Sequence, residues 1–388
     1  MVKRGIIICI VVLLIGGFLY WNRNNKQENK ESLTKIPKDN TKKLRELDNT
    51  IFKKYSNKAE KTLKNMTIEE KVGQLFLVRY SKNDVEYFSN FYPGGYILFA
   101  KDIENHTKDS LKKELTENLQ KNKYSLILGV DEEGGFVTRV SRYSAFRKEK
   151  FLSPKDYYMQ GGYELLEQTE NEKATLLKEI GFNLNLAPVA DISTNPDDFI
   201  YSRSFGENAK KTSEYIENMV KYAKNNEISS CLKHFPGYGN NEDTHTGIAI
   251  DNRSYEEISQ NDYLPFQAGI KEGVPCILVS HNIVMAIDSN LPASLSSNVI
   301  SELREKLSYT GVIITDDLAM DAVKSYVENK EAATLAINAG NDMIITSDFI
   351  SMYKEVLNSV KEGKIKEERI NKAVLRIIAW KYSNGLLA

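Results

Sequence analysis

Eight apolar runs recur along this 388-residue chain, and helix-compatible segments separate them. The runs are residues 72–80, 94–100, 124–131, 182–192, 228–234, 275–282, 310–317 and 341–348. Several of them are apolar on both faces, as strands of a parallel sheet covered by helices must be. Eight such units that close on themselves predict an α/β fold, a (β/α)8 barrel of the TIM type. The alternative is an open doubly wound sheet, but no glycine fingerprint for a dinucleotide follows the first run.

Polar residues stand where most of these predicted strands end. In a (β/α)8 barrel, functional groups gather at the C-terminal ends of the strands. A polar residue at one strand end means little, but the recurrence at six strands predicts a site on this face. The residues concerned are Asp131, Asp191, Lys233 with His234, His281 with Asn282, Asp316 with Asp317, and Ser347 with Asp348.

The glycine-rich segment 233–247 holds two of the four histidines of the chain. Asp243 and His245 are two residues apart, so in extended geometry they point to the same side. The carboxylate can then accept a proton from one imidazole nitrogen and leave the other facing a substrate, which suits general acid/base catalysis. Two alternatives remain open: a metal site formed by His234, Asp243 and His245, or hydrogen bonding within the loop.

Two acids, Asp316 and Asp317, end the seventh predicted strand. One of them is expected to cap the following helix. The other would face the barrel mouth, where a carboxylate can attack a substrate carbon or assist a proton transfer. The spacing does not decide between them. Arg203, in a polar and aromatic loop after the fourth strand, could donate hydrogen bonds to a substrate oxygen or carboxylate.

The N-terminus predicts a membrane-targeting segment. Lys3 and Arg4 precede an uncharged apolar run over residues 6–21. The run is short for a full span but lacks a small-residue cleavage site, so we expect residues 1–21 to be an uncleaved anchor rather than a signal sequence. Residues 22–62 are predicted to be a polar, lysine-rich tether, helical near residues 44–63, and residues 63–388 a single catalytic barrel. The barrel would then lie outside the cytoplasm, or be secreted if the segment is cleaved.

Composition excludes some functional classes. The formal net charge of -1 gives no support for a nucleic-acid partner. The three cysteines include one within the apolar N-terminal run and two within predicted strands, so they imply no disulfide framework.

Several motifs resemble glycoside hydrolase family 3, and within it the β-N-acetylglucosaminidases of the NagZ type. The resemblance runs through the whole predicted barrel in order, and the loop after the fifth strand is its most specific part. The matching segments are residues 66–75, residues 94–99, Asp131-Glu132-Glu133-Gly134-Gly135, residues 185–191, Arg203-Ser204-Phe205, Lys233-His234-Phe235-Pro236-Gly237 and Asp243-Thr244-His245.

The resemblance implies a role for each matching residue. Asp316 falls on the family nucleophile, which forms a covalent glycosyl-enzyme. His245, oriented by Asp243, falls on the acid/base residue and replaces the second carboxylate of most retaining glycosidases. The resemblance implies neither a metal nor a cofactor. The positions that hold the hydroxyls and the N-acetyl group of the sugar in the −1 subsite are Asp131, Arg139, Arg203, Lys233 and His234.

Three positions depart from the family pattern without removing a catalytic group. Tyr238 stands where a histidine is often found, Phe136 where arginine is frequent, and Glu132 where glutamine is usual. These departures bear on how the leaving group is bound and on the length of the substrate. They bear less on the reaction itself. For His281, we expect a satisfied buried hydrogen bond rather than a place in the site.

The sequence therefore predicts a monomeric, membrane-anchored, exo-acting β-N-acetylglucosaminidase that acts with retention, and peptidoglycan fragments outside the cell are its expected substrate. A family 3 β-glucosidase and an N-acetylglucosaminide phosphorylase are the enzymatic alternatives. A non-catalytic, surface-held sugar-binding scaffold is the alternative of another class, because a fold does not establish an activity.

Overall fold

The computed structural model describes residues 46–239, 249–320, 323, 326–327 and 331–388. The strands are β1 Phe76–Arg79, β2 Gly95–Leu98, β3 Ile127–Val130, β4 Leu184–Asn185, β5 Ser229–Phe235, β6 Ile250–Asp251, β7 Cys276–Val279, β8 Ile283–Val284, β9 Val312–Asp317 and β10 Met343–Thr346. Eight of them are parallel and close into a barrel in the order β1-β10-β9-β7-β5-β4-β3-β2. The two short strands β6 and β8 pair with each other in parallel outside the barrel. The predicted (β/α)8 fold is confirmed.

Helices alternate with the strands and cover the outside of the barrel. The α-helices are α1 Ser56–Lys64, α2 Ile68–Gln74, α3 Val85–Ser89, α4 Ala100–Ile103, α5 Lys108–Leu119, α6 Pro154–Ile180, α7 Ala209–Asn225, α8 Tyr255–Glu257, α9 Tyr263–Lys271, α10 Ser297–Ser301, α11 Ala332–Ala339, α12 Phe349–Lys361 and α13 Glu367–Ser383. Short 3-10 helices span Lys53–Tyr55 and Ala293–Leu295, and π-helices span Ile258–Asp262 and Glu302–Lys306.

Local sequence signals explain where several helices begin and end. At the start of α2, the Thr67 side chain accepts from the Glu70 backbone N–H, and the Glu70 carboxylate accepts from the Thr67 N–H, which forms a capping box. Helix α6 begins with Ser153 as its N-cap and Pro154 in its first turn. It ends at Gly181, whose φ of 117° lies in the left-handed region that glycine tolerates best.

Strand β4 is much shorter than the predicted run 182–192. Pro188 explains part of the difference, because proline has no backbone N–H to donate to a ladder. Beyond it, Val189 forms an isolated parallel bridge with Lys233, and the Ala190 N–H donates to the Lys233 carbonyl at 2.7 Å. The chain therefore still follows β5 far enough to bring Asp191 to the C-terminal end of the barrel.

The opposite, N-terminal end of the barrel is held together by a buried ion cluster. The Asp342 carboxylate, before β10, accepts from Arg304 at 2.5 Å and from Arg369 at 3.1 Å, while Arg376 Nη1 lies 3.2 Å away. Burial alone would raise the pKa of Asp342, but the three guanidinium groups hold it below its ordinary value. These charges join β10, α13 and the π-helix Glu302–Lys306, and they serve the fold.

Residues 46–62 were predicted to belong to the tether, but they fold with the barrel. Leu47 and Phe52 are buried, and α1 packs against α13. The Ile51 N–H donates to Thr310 Oγ1 at 3.2 Å, and Glu46 pairs with Arg376 at 2.8 Å. The few apolar residues of this polar stretch are the ones that pack, so the folded unit includes Glu46 onward.

The predicted anchor 1–21 and residues 22–45 of the tether lie outside the described residues. Within the part of the chain that the structure describes, no helix combines the length and apolar character needed to cross a membrane.

Lys381, on α13, generates a prediction about stability. Its side chain is fully buried, and its amine donates to Gln74 Oε1 at 2.7 Å. Burial lowers the pKa of Lys381 to about 7. Between that value and the ordinary lysine pKa, the unfolded chain binds a proton that the folded chain lacks, so this lysine makes stability rise with pH. Lys381→Met lacks this rise. The free energy of unfolding of wild type, minus that of Lys381→Met, should therefore increase by about 1.4 kcal/mol per pH unit from pH 7.5 to 9.5.

Urea unfolding of both proteins at several pH values measures this difference. Lys372→Met is the matched control, because Lys372 lies on the same helix but is 44% exposed and pairs with Glu368 at the surface. If the difference in free energy of unfolding between wild type and Lys381→Met does not change with pH, the buried Lys381 amine is not neutral.

Candidate active site

A cavity of about 960 Å³ opens at the C-terminal ends of the barrel strands. It lies on the face where the strand-end residues predicted a site. Six of the eight predicted site residues line it, namely Asp131, Arg139, Arg203, Lys233, His234 and Asp316. The other two, Asp243 and His245, lie outside the described residues.

Four charged side chains form a continuous array along one wall of the cavity. Lys233, on β5, donates to Asp131 at 2.6 Å and pairs with Glu133 at 2.7 Å. Arg203 donates two hydrogen bonds to the same Glu133 carboxylate, at 2.8 and 3.1 Å. Two cations thus alternate with two carboxylates, which compensates for the burial of Lys233, Glu133 and Arg203.

The array keeps its members charged. Burial would lower the pKa of Lys233, but Asp131 and Glu133 raise it above its ordinary value. Burial would raise the pKa of Glu133, but Arg203 and Lys233 hold it far below its ordinary value. The wall therefore presents fixed N–H donors and carboxylate oxygens that need no rearrangement when a polar ligand enters.

The sequence predicted no role for Glu133, although this residue belongs to the matching segment Asp131-Glu132-Glu133-Gly134-Gly135. The signal that could have identified it is the run of three acids, Asp131 to Glu133, at the end of a buried strand. A carboxylate there with two cations predicted nearby would be expected to pair with them.

Glu132, the middle acid, has a different role. Its carboxylate accepts backbone N–H groups from Arg139, Val140 and Ser141 at 2.8, 2.7 and 3.2 Å. These bonds fold the loop after β3 back over the barrel and bring Arg139 to the cavity. Arg139 lines the cavity, and its Nε is buried with no hydrogen-bond partner among the described residues.

The Asp191 carboxylate holds His234 in one orientation. The sequence predicted only that Asp191 stands at the end of a strand. Asp191 Oδ2 lies 2.7 Å from His234 Nδ1 and also accepts the His234 backbone N–H at 3.1 Å. With Nδ1 donating to Asp191, Nε2 is left to accept from Arg203 Nη2, 3.2 Å away. These two contacts fix the orientation of the His234 ring in the cavity.

The structure distinguishes the two acids that end β9. Asp317 Oδ1 accepts the backbone N–H groups of Ala319 and Ser347 at 2.9 and 3.1 Å, and Oδ2 accepts the Ser347 hydroxyl. Asp317 therefore ties the turn after β9 to the end of β10, whereas the predicted cap of the following helix concerns residues outside the described ranges. Asp316 lines the cavity and accepts the Asp317 backbone N–H at 2.8 Å.

His281 stabilises the end of β9 through a contact with its backbone. It is buried, with Nδ1 2.8 Å from Ser294 Oγ and Nε2 3.1 Å from the Asp317 carbonyl. The expectation of a satisfied buried hydrogen bond is confirmed.

The chain leaves β5 through a tightly packed turn. Gly237 has a φ of 126°, and a Cβ there would lie 2.2 Å from Asp262 Oδ1, so only glycine fits. The Tyr238 backbone N–H donates to Asp191 at 2.7 Å, and the Tyr238 ring packs edge-on against His234. The segment that leads to Asp243 and His245 is thus anchored to the same carboxylate that orients His234.

Comparison with known proteins was made on sequence and on structure. The glycosyl hydrolase family 3 N-terminal domain matches residues 67–380. A β-hexosaminidase A from Pseudoalteromonas piscicida is 28% identical over 320 residues, which are 75% of this chain and 54% of the relative. A β-hexosaminidase from Nitrosomonas eutropha is 31% identical over 273 residues, which are 69% of this chain and 77% of the relative.

Among solved structures, a glycoside hydrolase family 3 β-N-acetylglucosaminidase from Paenibacillus sp. superposes with a TM-score of 0.76 at 28% identity. The match covers 83% of this chain and 64% of that protein. The chain thus spans about half the length of the Pseudoalteromonas relative and under two thirds of the Paenibacillus structure.

Glu133→Gln tests the charged array. The substitution keeps the shape but leaves Arg203 and Lys233 with a single remaining carboxylate, Asp131, so it should lower the free energy of unfolding by about 3–5 kcal/mol. Because the pKa of Glu133 is lowered from 4.5 in the folded state, its stabilising contribution is present above that value and is lost as the pH falls below it. The gap between wild type and variant should therefore be constant from pH 8 to 5 and narrow at lower pH.

Urea unfolding across this pH range provides the measurement. Glu149→Gln, at an exposed position of the same loop, is the control and should cost less than about 0.5 kcal/mol. If both variants lose the same small amount of unfolding free energy, the array does not depend on Glu133.

Proposed function

This chain belongs to glycosyl hydrolase family 3, and we propose that it is an exo-acting β-N-acetylglucosaminidase that hydrolyses terminal β-linked N-acetylglucosamine with retention. The observation that carries the proposal is the placement of Asp316 in the same cavity as the array of Asp131, Lys233, Glu133 and Arg203. A carboxylate at the end of one strand faces a wall of fixed polar groups. This is the arrangement that a glycosidase needs to hold a sugar against a nucleophile.

The array serves as the binding wall of the −1 subsite. Asp131 offers a carboxylate oxygen to sugar hydroxyls, and Lys233, Arg203 and Arg139 offer N–H donors to hydroxyls and to the N-acetyl carbonyl. Because the donors are already oriented by ion pairs, their hydrogen bonds can strengthen as the ring flattens toward an oxocarbenium-like transition state. Binding energy is thereby directed to the reacting ring.

Asp316 is the nucleophile in this proposal. Its carboxylate oxygen forms a bond to the anomeric carbon while the bond from that carbon to the glycosidic oxygen breaks, and the leaving oxygen takes a proton from the acid/base group. Water then attacks the anomeric carbon, loses a proton to the same group, and releases Asp316. Two displacements at one carbon retain the β configuration.

We assign the acid/base role to His245, oriented by Asp243, on the basis of the sequence motif. A neutral histidine gains charge when it accepts a proton, whereas a second carboxylate would add negative charge beside Asp316 and raise its pKa. The Asp243-Thr244-His245 motif also favours the N-acetyl sugar over glucose as the substrate. The β-hexosaminidase names of the two relatives agree with this choice.

We further propose that the natural substrate is a peptidoglycan fragment and that the enzyme works outside the cytoplasm. The support is the N-terminal sequence, in which Lys3 and Arg4 precede the apolar run 6–21 and a polar stretch links this run to the barrel. An enzyme held at the outer surface of a membrane would meet cell-wall glycans.

Asp316→Ala should reduce turnover of p-nitrophenyl β-N-acetylglucosaminide at least about a thousandfold while the barrel stays folded. Added azide should restore activity and yield the α-glycosyl azide, because azide can attack from the face that the missing carboxylate leaves open. Release of p-nitrophenol and NMR of the product report both effects.

Asp348→Ala is the matched control, since Asp348 is an exposed acid at the end of the neighbouring strand β10 and does not line the cavity. It should retain most of the wild-type turnover. Substantial residual hydrolysis by Asp316→Ala, or the absence of azide rescue in a folded variant, would remove Asp316 from the role of nucleophile.

A further inference from the structure

A second buried ion cluster, formed by Asp251, Arg253 and Asp262, lies beside the turn that follows β5. Arg253 donates from Nε and Nη2 to the Asp251 carboxylate at 3.0 and 2.7 Å, and from Nη1 to Asp262 Oδ2 at 2.9 Å. Both carboxylates are almost fully buried. The cluster does not belong to the described residues that line the active-site cavity. Its two carboxylates hold the planar guanidinium in one orientation.

The turn after β5 packs directly on this cluster. Gly239 has a φ of 60°, and a Cβ there would lie 2.4 Å from Arg253 Cζ. Gly237 packs in the same way on Asp262, as its close approach to Oδ1 shows. Two glycines thus place the backbone of the turn against the Arg253–Asp262 ion pair, and the pair fixes the path of the chain as far as Gly239.

The same guanidinium also fixes the chain where the described residues resume. Asp251 belongs to β6, and its carbonyl accepts the Met285 N–H at 2.9 Å, so this strand is held to β8. Gly239 and Asp251 stand on opposite sides of residues 240–248, the segment that carries the motif assigned to acid/base catalysis. Arg253 therefore contacts the chain on both sides of that segment.

We propose that Arg253 is a positioning residue for general acid catalysis, which holds the two ends of segment 240–248 and so sets where His245 meets the leaving oxygen. The inference rests on the proposed function, in which His245 protonates that oxygen. A misplacement of about 1 Å in a catalytic group can cost about a hundredfold in rate. Arg253 acts through the chain ends, so its loss should impair proton transfer to the leaving oxygen.

The test compares kcat/KM of the full chain for two substrates with the same sugar, 2,4-dinitrophenyl and phenyl β-N-acetylglucosaminide. Dinitrophenolate departs without a proton, whereas phenolate needs one. Arg253→Met should therefore lower kcat/KM at least about thirtyfold for the phenyl glycoside and less than about threefold for the dinitrophenyl glycoside. Assays above the pKa of Asp262, which burial raises to about 6, keep both carboxylates of the cluster charged.

Arg369→Met is the matched control for a purely structural role. The Arg369 side chain is 19% exposed, against 16% for Arg253, and it likewise donates to a buried carboxylate, Asp342, but at the opposite end of the barrel. This variant should lose stability and keep the wild-type ratio of the two kcat/KM values. An unchanged ratio in folded Arg253→Met would overturn the positioning role.

Gly239→Ala provides a second variant, which decides the question if Arg253→Met does not fold. The added methyl group would displace the chain from the guanidinium, so the phenyl-to-dinitrophenyl ratio should fall at least about tenfold. Gly363→Ala is its control, because Gly363 has a similar φ of 76° but a Cβ there meets nothing within 4 Å. An unchanged ratio in Gly239→Ala would count against the proposal.

Failure of the proposed hydrolytic function is detected separately, because folded wild type would then hydrolyse neither glycoside. Amide hydrogen exchange in that case tests whether Arg253 holds the turn. The Gly237 and Tyr238 N–H groups, which donate to the His234 carbonyl and to Asp191, should exchange at least about tenfold faster in Arg253→Met than in wild type or Arg369→Met. Equal exchange in the three proteins would reject the contact as a fixing interaction.

Discussion

The pairing of Lys233 with two carboxylates is the interaction on which the site depends. Burial alone would lower the pKa of a lysine at the end of a barrel strand. Without a partner, the buried amine would destabilise the fold. Asp131 and Glu133 keep it charged, and Arg203 balances the second carboxylate. Because these residues come from the segment after β3, from the loop after β4 and from β5, the array forms only when the barrel closes.

The barrel separates stability from chemistry along its axis. At the N-terminal end, three arginines surround the buried Asp342 carboxylate. At the C-terminal end, the charges are also paired, but they border a cavity of about 960 Å³. Paired charges at both ends satisfy the physical requirement for burial, and at the C-terminal end the paired donors and acceptors also line the cavity.

Much of this could be predicted from the sequence, since runs that are apolar on both faces indicate parallel strands and polar residues at their ends indicate one face. Other features depend on contacts between distant segments. The role of Glu133 required knowing that Arg203 contacts it from the loop after β4, and the role of Asp191 required the position of His234. The packing of residues 46–62 was missed because only a few apolar residues, such as Leu47 and Phe52, hold that stretch to the barrel.

The measurement that tests the central claim most directly is the rate of p-nitrophenol release by the full chain from the β-N-acetylglucosaminide and from the β-glucoside, each with and without phosphate. The account predicts hydrolysis of the N-acetyl sugar, little turnover of the glucoside, and no acceleration by phosphate. Preferential turnover of the glucoside would contradict the substrate assignment. Acceleration by phosphate would make the enzyme a phosphorylase, and no turnover of either substrate by folded protein would contradict the proposed catalytic function.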